Sequence, residues 1–195
     1  MSEEPLAFPS GPAFEAWLAE QHAELDGIWV KFAKKASGIP TVVYAEAVQS
    51  ALKFGWIDGQ ARRIDDVHYL QRFTPRRARS RWSKINCAKA EALIASGAMQ
   101  PAGLAEVQRA KADGRWDAAY DAPSTATVPE DLRAALDRDR AASEFFETLD
   151  SSNRYAILHR IQDAKKPETR ARRIEKFVAM LSRGETIHPP RRAAR

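Results

Sequence analysis

The chain has 195 residues, 44% of them hydrophobic and 29% charged, with a formal net charge of +5. That length suits one large domain or two small ones, and no apolar run reaches the ~20 residues of a membrane helix. The single cysteine, Cys87, excludes an intramolecular disulfide, and the acidic start MSEEP carries no basic or apolar leader pattern, so a cytoplasmic location is expected.

In chain order, Ser10-Gly11-Pro12 signals a helix start, with proline pre-set for the first turn. Phe14, Trp17, Leu18 and Leu25 share one helical face, and Asp26-Gly27 ends it. Ile28 to Lys34 alternates, with Ile28, Val30 and Phe32 set against Trp29 and Lys31, as in a half-buried strand. Tyr44 to Phe54 reads as a helix stopped by Gly55. Gln60 to Ile64 and His68 to Phe73 then read as an antiparallel hairpin around Asp65-Asp66, closed by Pro75. The result is a sheet of about three strands whose apolar face needs covering helices.

After Arg81 the pattern becomes helical. Ser83 caps a helix to Ser96, Pro101 opens another, and Trp116 and Tyr120 follow the Asp113-Gly114 stop as loop anchors. Asp121 to Val128 is the linker candidate. Pro129 begins a helix whose apolar face runs from Leu132 to Leu149. Ser151 or Ser152 caps the next. Pro167 opens the last, where Ile174, Phe177, Val178 and Leu181 have core-face spacing. A basic tail follows His188.

The stretch from Phe54 to Asn86 is the one helix packing does not explain. Arg62, Arg63, Arg72, Arg76, Arg77, Arg79, Arg81 and Lys84 stand against Asp58, Asp65 and Asp66, with Trp56, Phe73 and Trp82 interleaved. Arginine forks and tryptophan faces together suit an anionic ligand. The ordinary alternative is a solvated loop whose arginines satisfy helix ends. Trp56 to Gln60 reads as a turn in which Gly59 permits close approach, and Asp58 either closes an Asx turn or acts on a ligand. The candidate ligand-binding set is therefore Trp56, Asp58, Gln60, Arg72, Arg76 and Trp82, and no catalytic residue is assigned.

Other chemistry is thinly represented. His22, His68, His159 and His188 have no metal-ligand spacing, and no phosphate loop, dinucleotide fingerprint or nucleophile elbow occurs, so neither a metal nor a cofactor is expected. Cys87 stands early in a helix, where thiol pKa values fall, although a buried inert thiol is the commoner case. Asn153, Arg154, Tyr155, His159, Arg160 and Arg170 to Arg173 make a second polar set on the last two helices, with Arg154 and Arg160 too far apart in helical phase to act as one clamp, and such charge on exposed helix faces usually serves solubility.

FGWIDGQ, LQRFTPRR, the following WSKIN, AGLAEVQRAKADGRWDAAYD and SNRYAILHRIQDAKKPETRARRIEKFVAMLSRGE together resemble the YdeI-like, OmpD-associated bacteriocin-protection family, from about Leu25 to His188. The resemblance implies resistance to antimicrobial peptides and an N-terminal α/β module of YdhG-like type. It supplies no catalytic residues. Val43 stands where a Ser or Thr helix cap is expected.

The sequence thus predicts an α+β protein: a small antiparallel three-stranded sheet with helices over 1–82, then a C-terminal helical region over 83–190 packed on it. The leading expectation is a cytoplasmic non-enzymatic binding protein linked to stress or bacteriocin resistance, with an anion-binding cleft between sheet and helices. The alternatives are a metal-free enzyme with Asp58 as base and arginines stabilising negative charge, a nucleic-acid-binding module over Arg62 to Lys84, and an adaptor for a protein partner.

Overall fold

The computed structural model describes residues 4–189; the basic tail beyond Pro189 lies outside them. Among the described residues there are eight α-helices and one four-stranded sheet. The chain divides into two compact units, Met1–Ala119 and Tyr120–Arg195. The expected division at 82/83 falls inside the first unit. Among the described residues no helix is long and apolar enough to cross a membrane.

In the first unit, β1 (Leu6–Ala7), β2 (Ile28–Ala33), β3 (Trp56–Arg63) and β4 (His68–Pro75) form a sheet of order β1-β2-β4-β3. The expected three antiparallel strands are present, but β1 pairs in parallel with β2 and makes the sheet mixed. Two residues are too few to show any alternation, so β1 has no sequence signal. Pairing brings Ile28 opposite Phe73, Trp29 opposite Arg72 and Lys31 opposite Leu70. Because side chains alternate, Val30, Phe32 and Phe73 share one face, while Trp29, Lys31 and Arg72 share the other.

Helices α1 (Gly11–Gln21) and α2 (Tyr44–Lys53) cover the first of these faces. Ser10 caps α1 by accepting from Ala13 N at 3.4 Å, and Phe14 from α1 meets Phe73 edge-on with 5.4 Å between centroids. Phe14, Leu18, Val30, Phe32, Leu52 and Trp56 are fully buried or nearly so, each contributing roughly 1.5–3 kcal/mol of apolar burial. Val43 occupies the α2 cap position and makes no side-chain cap bond. Helices α3 (Lys84–Ala95) and α4 (Pro101–Ala112) complete this unit through Cys87, Ala90, Leu93 and Val107.

The second unit is helical: α5 (Glu130–Leu136), α6 (Arg140–Thr148), α7 (Ser151–Gln162) and α8 (Pro167–Ser182). The single helix expected after Pro129 is two, because Asp139 accepts from Ala142 N at 3.0 Å and starts a new one. Asp150, rather than either serine, caps α7 by accepting from Asn153 N at 2.7 Å. Its core is Leu132, Leu136, Phe146, Ile157, Ile161, Phe177 and Leu181.

Candidate functional site

The expected turn from Trp56 to Gln60 is strand β3, interrupted by a register shift between Asp58 and Ala61. This bulge opens two main-chain carbonyls, and a buried glutamine answers them. Gln71 Nε2 donates to the Gly59 carbonyl at 2.9 Å and to the Gln60 carbonyl at 3.3 Å. Gln60 itself is exposed at the bulge.

The six candidate residues do not gather into one site, although Arg76 and Trp82 meet. Trp56 is 1% exposed and donates its indole N–H to the His22 carbonyl at 3.1 Å. Asp58 pairs with Phe73 and so faces the helices, where its Oδ2 accepts from the Tyr44 hydroxyl at 2.6 Å. Arg72, next to Phe73, projects to the opposite face. A base at Asp58 and an anion clamp at Arg72 are therefore separated by the sheet itself.

Arg76 and Trp82 are also interior. Arg76 donates from Nη1 to the Arg81 carbonyl at 3.1 Å, its backbone N–H donates to the Gly55 carbonyl at 2.9 Å, and its guanidinium stacks on the Trp82 ring. Trp116 packs against Trp82 at 4.8 Å between centroids, and Lys111 stands 5.0 Å over Trp116. This alternation of cations and indoles fastens the loop after β4 to the end of α4. Arg115 adds to it, donating to the Ser80 carbonyl at 2.9 Å.

What the sheet does present is its other face. Trp29 and Lys31 from β2, His68, Leu70, Arg72 and Thr74 from β4, and Ile57 and Arg62 from β3 project there by register. Lys31, Leu70 and Arg62 form one row across three strands, spanning about 10 Å at ~4.8 Å per strand. The Arg72 guanidinium lies 5.8 Å from the Trp29 ring centroid. None of these side chains is a carboxylate. At the β2 end a pocket of about 310 Å³ opens, lined by Ala7, Lys31, Ala33, Pro40 and His68.

His68 borders the hairpin turn, where Asp65 accepts from the backbone N–H groups of His68 and Val67. Those bonds, that of His68 first, hold the Asp65 carboxyl down at about 2. The face was partly legible from Trp29 and Lys31 alternating with Ile28, Val30 and Phe32. The missing element was the strand register, which places Trp29 beside Arg72.

Cys87 is buried, and burial first, then the charge of Glu91, pushes its thiol up to about 11. The helix start does not prevail here, because apolar surroundings disfavour the thiolate more strongly.

Residues 125–184 match the family model described as bacteriocin-protection, YdeI or OmpD-associated. Residues 6–106 match a different model, described as a domain of unknown function, DUF8412. The family resemblance read along nearly the whole chain thus rests on its helical C-terminal part, while the sheet and the helices packed on it fall to the second model. No curated protein and no solved structure matches the chain. The match over 6–106 spans just over half of the 195 residues, and the chain belongs to the DUF8412 family, with a YdeI or OmpD-associated segment following that domain.

Proposed function

We propose that the protein is a cytoplasmic, non-enzymatic binding protein whose first unit holds an anionic ligand on the open face of its sheet. One observation carries this reading: Lys31, Arg62 and Arg72 share that face with Trp29, and no carboxylate projects among them by register. The cations are laid out along the strands over a broad surface. That layout favours an extended polyanion, single-stranded nucleic acid above all, in which phosphates meet the cations and a base stacks on the indole.

The 310 Å³ pocket beside Lys31 and His68 supports a second reading, a small anionic metabolite. Salt separates the two. An oligonucleotide meeting three cations loses affinity with a log–log slope of about −2, at roughly −0.7 per neutralised phosphate of a single strand. A small anion in one pocket gives a shallower slope.

The test is a fluorescence-anisotropy titration of a labelled thymidine oligonucleotide at several salt concentrations. Arg72→Lys is expected to weaken binding by about 1–3 kcal/mol, because lysine lacks the planar fork, and Trp29→Ala by about 1–3 kcal/mol for one lost stack. Absence of salt-dependent binding, or full affinity in both variants, overturns the proposal. The lone buried thiol supports a reducing compartment. A part in bacteriocin or stress resistance rests on the description of the C-terminal family and is tested by survival of a deletion strain under peptide challenge.

A further inference from the structure

Asn153 in α7 is 2% exposed, and its side chain grips the chain that follows α8. Its Oδ1 accepts from the His188 backbone N–H at 2.8 Å, and its Nδ2 donates to the His188 carbonyl at 3.3 Å. A buried amide satisfied in both directions fixes an otherwise irregular segment. His188 is thereby held beside the first turns of α7.

The segment leading into α5 is tied to the same helix. Tyr155 donates its hydroxyl to the Asp121 carbonyl at 2.9 Å, and Gln162 donates to the Asp121 carboxylate at 3.0 Å. Between these two fastened segments lies an open pocket of about 430 Å³. Pro123 forms one wall, His188 another, and Ser151, Ser152, His159 and Arg160 come from α7. Ser152, Tyr155 and His159 are three and four residues apart, so they stand on one helical face.

The lining carries one fixed positive charge. It offers a guanidinium, two imidazoles and serine hydroxyls, and no carboxylate is among its residues. Of the carboxylates near α7, Asp150 caps the helix, Asp121 accepts from Gln162, and Asp163 pairs with Arg173 at 3.7 Å. Arg160 is braced through Nη1, which donates to the Ala156 carbonyl at 2.9 Å. The His159 ring stands 5.5 Å from Tyr155 and 5.3 Å from Tyr120, centroid to centroid, giving the pocket an aromatic side. Its volume lies within the ~300–1,000 Å³ of small-molecule sites.

We propose that this pocket binds a small aromatic anion, with a carboxylate or phosphate group at Arg160, His159 and His188 and its ring against the Tyr155–His159 side. Arginine supplies a planar fork that fits either group, and imidazole N–H and serine O–H groups donate to the remaining oxygens. The site lies in the second unit, shares no residue with the sheet face, and stands or falls separately from it.

The experiment is an NMR titration of the full chain with benzoate, phenyl phosphate and inorganic phosphate, following the ring signals of His159 and His188. Saturable shifts of both rings with an aromatic probe are expected, and the tighter of benzoate and phenyl phosphate identifies the anionic group. Arg160→Gln should weaken that binding at least tenfold, and Ser152→Asp, which sets a carboxylate in the pocket, should abolish saturation. Both positions are exposed, so either variant alone decides. Arg72→Lys should leave the titration unchanged. Linear, non-saturating drift with both aromatic probes overturns the proposal, as does unchanged affinity in the two pocket variants. Inorganic phosphate binding as tightly as phenyl phosphate removes the aromatic part of the assignment.

Discussion

The Arg76 guanidinium lies 3.6 Å from the centroid of the Trp82 ring, with both side chains inside the protein at 4% and 2% exposure. An arginine in a basic loop ordinarily faces water. Here it closes the loop upon itself, because the same guanidinium donates to the Arg81 carbonyl. A desolvated cation–π contact is worth about 2 kcal/mol, and removing the side chain also removes its hydrogen bond to the Arg81 carbonyl.

Arg76→Ala is therefore expected to lower the stability of the first unit by at least about 2 kcal/mol. Arg76→Lys should recover only part of this, since an ammonium neither stacks flat nor donates in a fork. Urea unfolding followed by tryptophan fluorescence measures both. An unchanged midpoint with lost anion binding would return Arg76 to the ligand site.

Gly103 gives a second test of packing. A Cβ there would stand 2.3 Å from the Lys53 carbonyl oxygen and 2.6 Å from that of Leu52. These are backbone atoms at the end of α2, and neither can rotate away. Gly103→Ala must force α4 off α2, at a cost of about 1–3 kcal/mol for overpacking. Thermal melting should show the loss, and a melting temperature equal to the parent's would mean that α4 shifts freely at this crossing.

Much of the first unit was legible because its signals are local. Ser10 and Pro12 announce α1, and the alternation from Ile28 gives β2 with its inward and outward sets. The errors have local causes too. Asp58 and Gly59 are turn residues by preference, yet here they belong to a strand, at a register shift between Asp58 and Ala61. For the site, sequence distinguishes the two faces of each strand but does not say which strands are neighbours. The Trp29–Arg72 pair depends on β2 lying next to β4, a long-range fact. Burial of Arg76 is equally non-local, since it needs Trp82, Trp116 and Lys111 to converge.

The hairpin turn has an acid limit. Asp65 is charged in the fold down to about 2, against an ordinary 3.8, because backbone N–H groups of His68 and Val67 donate to it. A depressed carboxyl supports the fold fully above its unfolded pKa and ceases to do so as pH falls through the folded one. The window is therefore about 3.8 down to about 2. The amide signals of Val67 and His68 should titrate with a midpoint near the lower value, and Asp65→Asn should remove the transition. A midpoint close to 3.8 would show that the turn bonds do not persist in solution.

Cys87 sets the alkaline limit in the same way, with the opposite sign. Burial and Glu91 raise its thiol from an ordinary 9.0 to about 11, and the opposing charges of Arg76 and Lys111 do not offset them. A raised thiol favours the folded state fully below the unfolded pKa, where both states are protonated alike and the buried group is neutral. That contribution is lost as pH rises from 9.0 toward about 11, because the unfolded chain gains thiolate that the fold resists. Two measurements follow. Folded protein should resist iodoacetamide at pH 8 and label fully once unfolded in urea, since the thiolate is the nucleophile. Unfolding free energy should decline across the same alkaline window, and Cys87→Ala should flatten that part of the decline while leaving the acid limb at Asp65 untouched. Rapid labelling of the folded chain at neutral pH would mean that the thiol is reactive, and that the helix start outweighs burial after all.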